Sequence, residues 1–181
     1  MIRKFSTIPD QSLLKEDLKL FGYMDSFRAY HVTNGQTISL NKFVKLFLYS
    51  SPKWVDSLMA VRDGIVRIFG LKTSDQLTEE EKHPDVGDLK PGQQLGIFKV
   101  FAITPNEIIL GEDDKHLNFR VSLLIQPATE TSTETILSIT TAVKFNNLFG
   151  KLYFLPVKPF HRLIVYNSIK NIIRQLEGAE G

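Results

Sequence analysis

Apolar positions along this chain recur at two periods, and the switches between them mark out its elements. Over residues 12–22, Leu13, Leu14, Leu18 and Phe21 follow helical spacing and Gly22 supplies a stop, which predicts a short helix. Residues 25–32 then alternate, Phe27, Ala29 and His31 against Arg28, Tyr30 and Val32, with Asn34-Gly35 as a turn signal. A first strand is expected there. Ser39 is placed to cap a helix whose Leu40, Phe43, Val44, Phe47 and Leu48 fall on one face, ending near Tyr49. Ser51-Pro52 sets an N-cap before a proline at the first helical position, and a second helix is expected over residues 52–69, stopped by Gly70.

Residues 72–94 carry Glu79, Glu80 and Glu81, then Pro84, Gly87, Pro91 and Gly92, and almost nothing apolar. They read as a long exposed loop of the kind that covers a site. Four strands follow, over 95–103, 107–111, 116–126 and 135–145, separated by turn-forming residues such as Pro105-Asn106 and Asp113-Asp114. These predict an antiparallel meander. From Asn147 the pattern is helical again, through Leu163, Ile164, Ile169, Ile172, Ile173 and Leu176, with Pro156 and Pro159 expected to kink the helix or mark where its main part begins. With no internal repeat and no second domain in the pattern, the expectation is one α+β domain over residues 1–181.

Composition narrows the function classes. Twenty-two Lys+Arg against 20 Asp+Glu leave a formal net charge of +2, too little basic excess to make nucleic acid the partner. The complete absence of Cys rules out disulfides, thiolate metal sites and cysteine nucleophiles, and fits a reducing, cytoplasmic setting. No run approaches the ~18 apolar residues of a membrane span, and Met1 to Ser12 has no apolar stretch after its two basic residues, so neither spanning nor export is expected. Thirteen Phe, five Tyr and one Trp provide bulky material for a core or a pocket wall.

Polar residues that interrupt apolar faces are the candidates for chemistry. On the C-terminal helix, His161 falls among Val157, Ile164, Val165, Ile169 and Ile172 and should point inward. There it is either a core histidine bonded to a backbone carbonyl, or a ligand or proton-transfer group. On the helix over 52–69, Arg62 lies within the stripe of Leu58, Ile65, Val66 and Phe69 and needs an acceptor: Asp25, Glu107, Asp113 or the carboxylate of a bound acid. The strand over 116–126 sets His116, Asn118, Arg120 and Ser122 against Leu117, Phe119, Val121 and Leu123. If its polar row faces the helix rather than solvent, His116, Arg120 and His161 converge. Lys158, Arg162, Lys170 and Arg174 form a basic row suited to a solvated face or to acidic lipid headgroups.

Nucleotide-binding, serine-hydrolase and metalloprotease motifs are missing, and the four His lie far apart in sequence, so no metal or cofactor is expected. The stretches Gly111-Glu112-Asp113-Asp114-Lys115-His116-Leu117-Asn118-Phe119-Arg120 and Val143-Lys144-Phe145-Asn146-Asn147-Leu148-Phe149-Gly150, closing with Pro159-Phe160-His161-Arg162, resemble a bacterial family known only as domain of unknown function 2867. This chain departs from its pattern at Asn118, where an Asp is more usual, and at Asn146, where a His often stands. The element order also resembles the helix-grip fold of START-like lipid-transfer proteins and polyketide cyclases, which implies a curved antiparallel sheet around the C-terminal helix and a cavity between them.

The expected function is binding of a small apolar or amphipathic molecule in that cavity, with His161 and Arg62 as anchors and Trp54 and Phe160 in its wall. Asn147, from the family stretch, is a further candidate. A cyclase- or hydratase-like enzyme, in which His161 or His116 moves a proton and Arg62 or Arg120 steadies an oxyanion, is one alternative. The other is a non-catalytic module that docks on an oxidoreductase through an exposed apolar patch.

Overall fold

The computed structural model describes residues 1–32, 38–49, 86–128 and 134–178. Its strands are β1 (Ile2–Phe5), β2 (Tyr23–Val32), β3 (Gln94–Leu95), β4 (Phe98–Ile103), β5 (Glu107–Asp113), β6 (Leu117–Pro127) and β7 (Glu134–Phe145). Every pairing is antiparallel, and the order across the open sheet is β1-β2-β7-β6-β5-β4-β3. The meander is therefore β4 to β7, and β2 joins it on the far side of β7. The register runs from Tyr23↔Val143 to Val32↔Glu134 and from Leu117↔Phe145 to Pro127↔Thr135. A slip of one residue would turn every inward side chain outward, so the apolar alternation of these long strands pins the register.

One face carries Phe27, Ala29, Val121, Leu123, Leu137 and Ile139, and two helices cover it. Helix α1 (Leu40–Tyr49) contributes Leu40, Phe43 and Val44, and helix α2 (Leu148–Gly178) contributes Val165, Ile169, Ile172 and Leu176. The opposite face is covered by the N-terminal segment, where Ile8, Leu13, Leu14 and Phe21 meet Met24, Ile109 and Ala142. Buried Glu107 fastens this cover: it accepts from the hydroxyls of Ser12 and Ser122, each at 2.5 Å, and from the Leu13 N–H at 2.8 Å.

The α+β architecture, the sheet, α1 and the long C-terminal helix match expectation, with four differences. Residues 12–22 form two 3-10 turns, Leu13–Lys15 and Leu18–Leu20, rather than one helix, and the tighter turns lay Leu14 and Phe21 against the sheet. Strand β1 is too short for a period-two signal. The strand expected over 95–103 folds back at Gly96, whose φ of 62° only glycine adopts without strain, giving the β3–β4 hairpin. At the near end of the expected loop, Leu89 is buried and Val86 packs on the core.

Helix α2 runs unbroken through Pro156 and Pro159. Each proline removes a hydrogen bond from the carbonyl four residues earlier, on Leu152 and Leu155, and both of those residues lie on the exposed side of the helix. The helix expected over 52–69, with Trp54 and Arg62, lies outside the described residues, as do residues 72–85 of the expected loop.

Candidate functional site

Strand β2 presents Tyr23, Asp25, Phe27 and Ala29 to the helix-covered face, and in that row Asp25 is the one carboxylate. It is 1% exposed and opposes Thr141 across the β2–β7 ladder. The Tyr23 hydroxyl donates to Asp25 Oδ2 at 2.5 Å. From above, α2 brings down His161, with Nε2 3.7 Å from Asp25 Oδ1, and Arg162, with Nε 3.6 Å from Oδ2. Arg162 Nε also donates to the Tyr23 hydroxyl oxygen at 3.1 Å. Separations of 3.6 and 3.7 Å are too long for hydrogen bonds, so both basic groups face the carboxylate across a gap.

Burial pushes the Asp25 carboxyl up, but His161, the Tyr23 hydroxyl and the positive charge of Lys4 pull it down further, and its pKa lies below the ordinary carboxylate value. Asp25 is therefore a buried anion at neutral pH. The Tyr23 phenol moves the other way: burial first, then its hydrogen bond to Asp25, raises its pKa, which fixes it as a protonated donor. Around the cluster Tyr23, Val143 and Phe154 pack together with Phe119, Phe145 and Val157, the Tyr23 and Phe154 rings 4.8 Å apart.

Three polar atoms in this apolar setting are left over. Among the described residues, Asp25 Oδ1, His161 Nε2 and Thr141 Oγ1 are buried without a hydrogen-bond partner. Native interiors rarely leave such groups without a hydrogen bond. An anionic acceptor, an imidazole and a hydroxyl, carried by β2, α2 and β7, can together receive a group that both donates and accepts, such as a hydroxyl.

The other candidates fall elsewhere. His116 and Asn147 do meet, Asn147 Nδ2 lying 3.1 Å from His116 Nδ1, but at the start of α2, where His116 packs on Phe149. There Asn147 Oδ1 accepts the Gly150 N–H at 3.0 Å, which makes it the cap of the helix. Arg120 shares the face of Ala142, turned away from α2, where it pairs with Asp113 at 2.8 Å and lies 3.5 Å over the Phe101 ring. Phe101 reaches it because a β-bulge between Val100 and Ala102 shifts the register there. Convergence of His116, Arg120 and His161 is thus not observed. Phe160 is 50% exposed and does not reach the cluster. The two positions that depart from the family pattern touch each other, Asn146 Nδ2 donating to Asn118 Oδ1 at 2.7 Å.

Sequence reasoning placed His161 inward but missed its partners. Tyr23 preceded the expected start of the first strand, Arg162 was assigned to the basic row, and Thr141 stood unremarked among apolar neighbours. The available signal was Asp25 itself: extending the alternation back through Tyr23 puts a carboxylate into an apolar row.

Sheet, helix and buried cluster together define an α+β protein with a polar centre under its C-terminal helix. The sequence model of a family described as protein of unknown function (DUF2867) matches residues 18–168, and the chain belongs to that family. The matched span contains Tyr23, Asp25, Thr141, His161 and Arg162. Searches of curated proteins and of solved structures returned no match.

Proposed function

We propose that the protein binds a small, largely apolar molecule carrying one hydroxyl or carbonyl group, seated between the sheet and α2. The observation that carries this reading is the trio of buried atoms without a hydrogen bond, Asp25 Oδ1, Thr141 Oγ1 and His161 Nε2, the first and last of which face each other at 3.7 Å. A ligand hydroxyl donates to Asp25 and accepts from His161 or Thr141, while Tyr23 and Arg162 hold the carboxylate in place. The apolar body lies against the aromatic wall of Tyr23, Phe119 and Phe154. The resemblance to helix-grip proteins supports the location, not the ligand's identity. Absence of Cys supports a cytoplasmic setting, and the family resemblance a bacterial one.

Fluorescence titration with 2-naphthol and with naphthalene tests the polar anchor. A gain of about tenfold from the hydroxyl, one hydrogen bond's worth, is expected. Equal affinity for the two, or no binding of either, would overturn it.

A second reading rests on the same pair of groups. A buried carboxylate facing an imidazole is an arrangement that can orient a general base; on this reading His161 moves a proton and Arg162 takes the oxyanion role expected of Arg62 or Arg120. Recovery of a chemically altered ligand from the native protein and an intact one from His161→Gln would favour this reading; the same molecule from both would eliminate it.

A further inference from the structure

Helix α2 buries one face, and among the described residues nothing covers a second, apolar one. Six of the eleven large apolar side chains exposed among the described residues lie on it: Leu148 at 70%, Leu152 at 56%, Leu155 at 64%, Phe160 at 50%, Leu163 at 49% and Tyr166 at 40%. Leu148, Leu152, Leu155, Leu163 and Tyr166 recur at steps of three, four and eight residues, close to whole turns, so they form a stripe about 27 Å long with Phe160 on its flank. The helix needs only its other face, with Phe154, Val165, Ile169, Ile172 and Leu176, for the core.

Charge along the helix is one-sided. Lys151 and Lys158, seven residues apart, follow one edge of the stripe, and Lys170 and Arg174 extend beyond its end, whereas the first acid of α2 is Glu177; Arg162, on the same edge, is turned to Asp25 and Tyr23 and is left out of this face. A second copy of the chain laid on this face would bring the same cations together with no acid between Leu148 and Gln175 to answer them. No described helix is long and apolar enough to cross a membrane. A long apolar stripe with cations beside it and beyond its end is the pattern of a helix that lies in the plane of a lipid–water interface.

We infer that this face of α2 docks the protein onto an anionic bilayer, with the stripe entering the acyl boundary and Lys151, Lys158, Lys170 and Arg174 meeting acidic headgroups. The inference stands on surface residues and is independent of the buried cluster. The test is flotation of the full-length protein with phosphatidylcholine vesicles, with and without one-quarter phosphatidylglycerol. Partition onto the anionic vesicles, falling as salt rises, is expected. The double substitution Leu152→Gln and Leu155→Gln, at exposed positions and with the native melting temperature as a check on folding, should weaken partition at least tenfold. Partition onto neither vesicle, equal partition onto both, or an unaffected double variant would each overturn it. So would a concentration-dependent dimer that the double variant abolishes in the absence of vesicle binding, which would assign the face to self-association, or stoichiometric capture of a folded protein partner instead of lipid.

Discussion

Replacing Ser12 by Ala should destabilise the protein far more than its place in a short N-terminal turn suggests. Ser12 is 4% exposed, donates at 2.5 Å to the carboxylate of Glu107, itself 2% exposed, and accepts the Leu14 N–H at 3.2 Å. Loss of a buried hydrogen bond to a charged acceptor costs about 1.5–3 kcal/mol. Loss of the capping acceptor adds about 0.5–1 kcal/mol, the low end for a cap because the turn is a single one. The total, about 2–4 kcal/mol, corresponds to a fall of roughly 5–15 °C in melting temperature for a chain of this size. Urea unfolding measures it, with an unchanged slope confirming that the same surface is exposed. Ser122→Ala, which removes one hydroxyl from the same Glu107 oxygen and no cap, should cost less. A Ser12→Ala loss below about 0.5 kcal/mol, the scatter of ordinary surface substitutions, would refute the claim that Glu107 fastens the N-terminal segment to the sheet.

Two further perturbations probe the site and its supports. Because the folded-state pKa of Asp25 lies below its ordinary value, the unfolded chain binds the proton more readily. The stabilisation is complete above the unfolded value and is lost as pH falls through the folded one, so urea midpoints should drop from about pH 5 downward and Asp25→Asn should flatten that acid limb. An unchanged limb would mean that Asp25 is not held as an anion. A Cβ on Gly150 would sit 2.2 Å from the backbone oxygen of His116, where α2 meets the β5–β6 turn. Gly150→Ala should therefore cost about 1–3 kcal/mol by overpacking, read from thermal melts, whereas Gly178→Ala, with nothing within 4 Å of the new atom, should be neutral to stability.

What could be read from the chain before its structure followed the strength of local periodicity. Long, strictly alternating strands such as β6 and the i, i+3, i+4 pattern of α1 were legible because one face of each is wholly apolar. The prolines in α2 do not end the helix, since their lost hydrogen bonds fall on an exposed flank that no sequence pattern identifies. Site residues divided along the same line. His161 announced itself as a polar group in an apolar helix face, but of the groups around it Tyr23 and Asp25 come from a strand more than 100 residues earlier in the chain, and Thr141 joins them only because β7 lies beside that strand. Proximity of that kind depends on which strands are neighbours, here β2 beside β7, and local spacing carries no information about it. Arg120 shows the converse: its row was correctly seen as polar, yet the choice between solvent and helix depended on which face α2 covers.

The most direct measurement is native mass spectrometry of the purified protein under gentle and denaturing conditions. A discrete added mass of a few hundred daltons, present only under gentle conditions and reduced in Asp25→Asn, is the result expected if the proposed ligand's polar group is held by the anionic acceptor facing His161 and Thr141. Identical masses under both conditions, or an added mass indifferent to Asp25, would contradict a ligand anchored at this cluster.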